Sequence, residues 1–159
     1  MPLITVHHGI RKFWLVLSLS LIAIVKFTIM DQVTKILVRD FLITQPGNVM
    51  HITNWFELVY SWNYGISFGI FSEYHQYTNK IFIGINSFIV LYLWRQMFVV
   101  NNWGYYVGYS LIIGGAVGNL VDRVLHGAVF DFLYFHYNDY GFAAFNLADS
   151  FIFCGVVWI

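Results

Sequence analysis

An all-α polytopic membrane protein is what this sequence predicts: four transmembrane helices carrying a small extracytoplasmic β-sheet. Three observations lead there. Charged residues make up 10% of the 159-residue chain and hydrophobic residues 59%, whereas a soluble domain is about a quarter charged. Mean hydropathy is +0.67, too apolar for a chain that must keep a polar surface in water. Aromatic residues reach 21%, which suits several membrane–water interfaces where Trp and Tyr rings settle.

A spanning helix needs about 20 mostly apolar residues, and four stretches qualify. Residues 13–30 hold a single charge, Lys26, near one end, where it can snorkel to the interface. Arg11-Lys12 precede this run as they would in a signal peptide, but no small-residue cleavage site follows, so an uncleaved span is expected. Residues 78–98 are edged by Lys80 and Arg95, residues 103–121 carry no charge, and residues 142–159 carry only Asp149. Arg11, Lys12 and Arg95 fall on one side and Lys35, Arg39, Lys80 and Arg123 nearer the other. The first helix therefore sets the orientation, with both termini cytoplasmic and segments 31–77 and 122–141 outside. Within those segments, residues 49–62 follow the turn signal Pro46-Gly47 and are rich in β-branched and aromatic residues, as are residues 127–135. Both read as strands. Repeats and linkers are absent, so residues 1–159 form one membrane domain.

Ionisable side chains at span ends are expensive, about 2.5–3.5 kcal/mol at a helix centre, and are functional candidates by default. Asp31 and Lys35 lie four apart and face each other on a helix; a salt bridge ending the first span and a functional role are both open. Asn119, Asp122 and Arg123 share a helical face at the end of the third span, where an ion pair is a sufficient structural reading. Asn146 and Asp149 share another at the start of the fourth, and Asp149 has no local cation, so its partner comes from elsewhere in the bundle. Asp131 lies between Phe130 and Phe132 in the strand-like segment. Asp131 and Asp149 thus approach one outer face from adjacent segments. Two neighbouring carboxylates share a proton, so one can activate water while the other protonates a carbonyl oxygen, which is peptide hydrolysis without metal, cofactor or covalent intermediate.

Other chemistries fit poorly. Gly65-Ile66-Ser67-Phe68-Gly69 matches G-x-S-x-G, but that elbow needs an α/β sheet. Cys154 is the only cysteine, so it forms no intramolecular disulfide, and it sits in an apolar helix that disfavours its thiolate. His126 and His136 flank Asp131 at a spacing that matches no zinc pattern. Zero net charge and no basic run longer than Arg11-Lys12 leave no footprint for nucleic acid. Gly104/Gly108 and Gly114/Gly118 read as helix-packing sites. A transporter or channel subunit would spread polar groups through the depth of the spans, and a scaffold would need neither aspartate.

Four blocks in order carry a family resemblance: Asp31-Gln32-x-Thr34-Lys35, then Asn63-x-Gly65-x-x-Phe68-Gly69, then Gly115-Ala116-x-Gly118-Asn119-Leu120-x-Asp122-Arg123 with Gly127-x-Val129-x-Asp131-Phe132, then Phe145-Asn146-x-Ala148-Asp149-x-x-Ile152. From the first span onward the chain resembles the lipoprotein signal peptidases (signal peptidase II). The resemblance implies a multi-pass bacterial plasma-membrane enzyme with its active site at the extracytoplasmic face. Such an enzyme cleaves diacylglyceryl-modified prolipoproteins just before the lipidated cysteine. It implies Asp131 and Asp149 as the catalytic dyad, and Asn63, Asn119, Arg123 and Asn146 as polar residues around substrate and dyad. Asp31, Lys35 and Asp122 are implied as supporting residues. Membrane lipids and the inhibitor globomycin are the further partners implied, and a monomer is expected. Ser67 stands where the family usually has alanine. About ten residues follow Asp149, half of a ~30 Å hydrocarbon core at 1.5 Å per residue, so the last span either starts well before Asp149 or the sequence is cut short.

Overall fold

The computed structural model describes residues 2–65, 75–100, 102–138 and 140–159, with the side chains of 14–65, 77–100, 102–138 and 140–159. It is mostly helical with a small antiparallel sheet. Helix α1 covers Pro2–Ile43, α2 His75–Val99, α3 Trp103–His126 and α4 Leu147–Trp158. Strands β1 (Val49–Thr53), β2 (Phe56–Asn63), β3 (Val129–Tyr137) and β4 (Tyr140–Gly141) form one sheet in the order β1-β2-β3-β4, all pairs antiparallel. The two strand-like stretches in the sequence therefore become β1–β2 and β3. The two-residue β4 is additional.

Helix α1 begins at Pro2 and α3 runs on to His126, beyond the expected spans, and two further boundaries differ for physical reasons. Helix α1 does not stop at residue 30 but continues through 31–43, because that extension has something to pack on. Leu42 is fully buried with Phe130 and Phe132 of β3, and Val38, Leu58, Tyr60 and Trp62 close around them. At the other end, residues 142–146 are not helical. The sheet takes their backbone: Leu133 N donates to Phe145 O at 2.8 Å and Phe145 N to Leu133 O at 3.0 Å. Helix α4 starts only at Leu147, two residues before Asp149. Segment 66–69, with Ser67, Phe68 and most of the G-x-S-x-G match, lies outside the described residues, as do the side chains of Arg11 and Lys12.

Helix α3 is the axis of the bundle and packs against α1, α2 and α4. Its small residues allow this. A methyl group on Gly115 would overlap the Ala148 carbonyl oxygen of α4, and one on Gly118 would overlap the Asp31 carboxylate of α1. Gly108 and Gly114 are equally tight, against Ile159 and Phe27, whereas a methyl on Gly104 would make only ordinary contacts. Polar and apolar are inverted relative to a soluble protein. Leu37, Ile22, Phe88, Leu91, Phe153 and Val157 face outward, while Asp31, Lys35, Asn119, Asp122, Asp131 and Asn146 are buried. Among the described residues, two stretches have the length and apolarity to cross a membrane, Trp14–Ile43 and Tyr77–Val99; α4 is a shorter apolar helix.

Candidate active site

Asp131 and Asp149 reach the same place from different elements. Asp131 is on β3, opposite Ser61 of β2, and 2% exposed. Asn63 stands two residues along β2 from Ser61, so it is Asp131's diagonal neighbour on the same sheet face; its Nδ2 donates to Asp131 Oδ2 at 2.9 Å. Asp149 is the third residue of α4 and half-buried. Asn146 caps that helix reciprocally: Asp149 N donates to Asn146 Oδ1 at 3.0 Å and Asn146 N donates to Asp149 Oδ2 at 3.1 Å. This is a capping box with aspartate in the usual Glu/Gln position. The helix dipole favours negative charge there.

Asn146 joins the two aspartates. While its backbone holds Asp149, its Nδ2 donates to Asp131 Oδ1 at 2.7 Å and to Asn119 Oδ1 at 3.1 Å. Asn119 Nδ2 in turn donates to Asp149 Oδ1 at 2.8 Å. All four carboxylate oxygens thus receive an N–H. The amides presenting them are pinned by groups that only donate: Gly65 N to Asn63 Oδ1 at 2.8 Å, Asp149 N to Asn146 Oδ1, and Lys35 Nζ to Asn119 Oδ1 at 3.0 Å. Gly65 has φ +90 beside this Asn63 turn, a backbone region open to glycine and strained for other residues.

Burial pushes the Asp131 carboxyl up from 3.8 to about 6. The hydrogen bonds from Asn63 and Asn146 oppose that rise, and the charge of Asp149 adds to it. The Asp131 carboxyl therefore feels the Asp149 charge.

Lys35 and Arg123 are both buried cations at the site. Lys35 Nζ lies 2.8 Å from Asp31 Oδ2 and 2.8 Å from Asp122 Oδ2. The Asp31–Lys35 pair matches the four-residue spacing. Asp122, however, pairs with Lys35 across the helix interface and not with its neighbour Arg123. Arg123 is buried, lies 4.6 Å over the Phe82 ring, and leaves Nε and Nη1 without a hydrogen bond while its charge acts on Asp131, Asp149 and Asp122. Sequence reasoning missed two participants. Gln32 Nε2 bridges Asp31, Gly118 O and Asp122, and Asn79 of α2 donates to Arg123 O at 2.9 Å while its own Oδ1 is buried and unpaired. Gln32 stands in the first motif block, one residue after Asp31. Asn79 had no sequence signal beyond being polar near a span end.

The remaining candidates lie elsewhere. His126 packs its ring 5.2 Å from Trp62, and His136 Nε2 lies 3.2 Å from Glu57 Oε1 on the sheet. Among the described residues no group of three or more His, Cys, Asp or Glu is arranged to hold a metal ion. Cys154 is on the exposed side of α4 and helps wall a cavity of about 400 Å³ beside Asp149, with Phe142, Phe145, Ser150 and Phe153.

A family model described as Signal peptidase (SPase) II matches residues 12–159. The chain belongs to the signal peptidase II family. Among curated relatives, the lipoprotein signal peptidase of Rickettsia akari (strain Hartford) is 49% identical over 148 residues, 93% of this chain and 76% of that one. The lipoprotein signal peptidase of Rickettsia felis (strain ATCC VR-1525 / URRWXCal2) is 47% identical, with 93% and 75% covered. Two solved structures share the fold, both bacterial membrane enzymes obtained by the in meso method. The one at 2.3 Å resolution superposes with a TM-score of 0.71 at 30% identity, covering 89% of this chain and 84% of that one. The one at 1.9 Å has a TM-score of 0.70 at 29% identity, with 89% of each covered. As a signal peptidase II family member the chain is an aspartic-type peptidase and a membrane protein. The transporter reading finds no support.

Proposed function

We propose that this chain removes the signal peptide from diacylglyceryl-modified prolipoproteins, cutting just before the lipidated cysteine, with Asp131 and Asp149 as the catalytic dyad. The observation that carries this reading is Asn146. One residue donates to both carboxylates, holding two acids from different elements at hydrogen-bonding range of a common group. The curated relatives are named for the same activity.

In this reading Asp149 is the base. It accepts two N–H bonds at the start of α4, where the helix dipole favours its charge. It takes a proton from the attacking water. Asp131, in the drier position, holds the shared proton and gives it to the carbonyl oxygen as the tetrahedral intermediate forms. The unused N–H groups of Arg123 hold substrate carbonyls. The cavity beside Asp149, walled by Phe142, Phe145 and Phe153, flanks an apolar part of the substrate.

The chain forms a single membrane domain in which α1 to α4 are the four spans, in the bacterial plasma membrane, with sheet and dyad at the extracytoplasmic face. A bilayer-embedded substrate then approaches sideways from the outer leaflet. The apolar outer faces of α1, α2 and α4 meet membrane lipids. A monomer suffices, because both aspartates come from one chain, and globomycin competes for the same site. The deciding assay is a gel shift on purified protein in detergent, with lipid-modified and unmodified precursor. Cleavage of the modified precursor alone, blocked by globomycin and reduced at least ~10²-fold in Asp131→Asn and Asp149→Asn, is expected. Activity that survives either substitution sinks the dyad.

A further inference from the structure

The Lys35 ammonium contacts three side chains, each holding one part of the dyad: it donates to Asp31 and Asn119 and forms an ion pair with Asp122. Asp31 receives the first N–H at 2.8 Å, and its other oxygen accepts from Ala148 N at 2.9 Å, the residue before Asp149. Asp122 Oδ2 forms an ion pair with the ammonium at 2.8 Å and accepts from Phe130 N at 3.2 Å, the residue before Asp131. Asn119 Oδ1 receives the second N–H at 3.0 Å, and its Nδ2 donates to Asp149 at 2.8 Å. One ammonium therefore stands a single side chain away from both aspartate-bearing backbones and from the Asp149 carboxylate.

We propose that Lys35 is the positioning hub of the dyad, and that its ammonium fixes the amide of Asn119 in the one orientation that donates to Asp149. This rests on the dyad reading above. An ammonium carries donors only, so a flipped Asn119 sets its NH2 against Lys35 and against the NH2 of Asn146, and turns its oxygen on the Asp149 carboxylate. Asn146 opposes the flip with one neutral bond at 3.1 Å. Lys35 opposes it with a charge-assisted bond, roughly twice as strong. Without the ammonium, Asn119 can accept from a protonated Asp149, and the protonated, inactive form of the base persists to higher pH. The charged or titratable groups around Asp149 are Asp131 on β3, Asp31 and Lys35 on α1, and Asp122 and Arg123 on α3. A test must therefore separate amide orientation from the loss of a nearby charge.

Lys35→Met combined with Asp122→Asn removes one positive and one negative charge and leaves the net charge of the cluster unchanged, so the wild-type chain is its reference. The readout is kcat/KM against pH on a diacylglyceryl-modified prolipoprotein, with the full chain in detergent. The acid limb of the pair is expected about one pH unit above the reference, the size of one hydrogen bond to a charged group. Asn119→Leu should move the limb similarly, and adding the pair to Asn119→Leu should move it no further. Superimposed limbs for pair and reference overturn the proposal. So does a shift of the same size in the Asn119→Leu background, which would reveal a direct charge effect. If the pair does not fold, Asn119→Leu decides: an unmoved limb overturns the proposal, and a raised limb with Lys35→Arg retaining the wild-type limb supports it. Cleavage that persists in Asp149→Asn would instead refute the underlying dyad, so the two failures are distinguishable.

Discussion

Replacing Asp131 by asparagine should make the protein more stable at neutral and alkaline pH and no more stable near pH 4. Asp131 is almost wholly buried. Desolvation, reinforced by the Asp149 charge and opposed by the Asn63 and Asn146 bonds, lifts its carboxyl from 3.8 to about 6. A carboxyl raised on folding holds its proton more firmly in the native state than in the unfolded chain. Its contribution therefore favours folding fully below pH 4 and is lost as pH climbs through about 6. The rise is about two units at ~1.4 kcal/mol each, so keeping Asp131 ionised costs about 3 kcal/mol above pH 7. Asparagine escapes that cost but brings another. Its amide has one oxygen where the carboxylate has two, so it accepts from Asn63 or from Asn146 and loses the other bond, about 1 kcal/mol. The expected net gain is about 2 kcal/mol at pH 8, or several degrees in a chain of this size. The assay is the unfolding midpoint of both proteins in one detergent from pH 4 to 8. A gap that is constant with pH, or a variant less stable than wild type at pH 8, would refute the assignment of Asp131 as the desolvated acid.

Four further substitutions probe the framework. Gly118→Ala drives a methyl group into the Asp31 carboxylate and should cost at least about 2 kcal/mol, whereas Gly84→Ala, with nothing within 4 Å, should gain up to ~1 kcal/mol; thermal unfolding of the two side by side checks both. Asn146→Ala loses the α4 cap, about 1 kcal/mol, and the bridge between the aspartates, so cleavage should fall about 10²-fold, out of proportion to the small drop in melting temperature. Asn63→Ala removes a hydrogen bond that holds the Asp131 carboxyl down. The alkaline limb of the cleavage profile should then move to higher pH, and the lost bond should cost about 1 kcal/mol of stability above pH 7.

What the sequence made legible was whatever repeats along one helix or alternates along one strand. The four-residue spacing of Asp31 and Lys35 places two side chains on one helical face, in contact, whereas Asn146 and Asp149 meet through a capping box because α4 begins only at Leu147. Partners across elements were not legible. Asp122 stands next to Arg123 in the chain, yet Gly118 lets α1 come so close to α3 that the Lys35 ammonium reaches Asp122 instead. Asn79 gave no signal because its importance depends on where α2 lies against Arg123. The helix ends at 43 and 147 were misplaced for the same reason. Residues 31–43 gain an apolar floor from β2 and β3, and residues 142–146 lose their helix to pairing with Leu133.

The buried Asp31–Lys35–Asp122 cluster is poorly explained by stability. Breaking such a group by removing one partner is costly, but replacing all of it by well-packed apolar residues is often neutral or favourable. Three apolar side chains would also fill the space between α1 and α3. They would not accept from Ala148 N and Phe130 N, the two backbone groups that immediately precede the aspartates. Nor would they hold the Asn119 oxygen and so aim its N–H at Asp149. The cluster adds directional bonds at Ala148 and Phe130 to the Leu133–Phe145 pairing that ties β3 to the segment before α4. Catalysis by paired carboxylates requires their separation to hold within about half an ångström. In this fold Asn146 touches both carboxyls directly, and Lys35 stands one side chain behind the backbone that carries each.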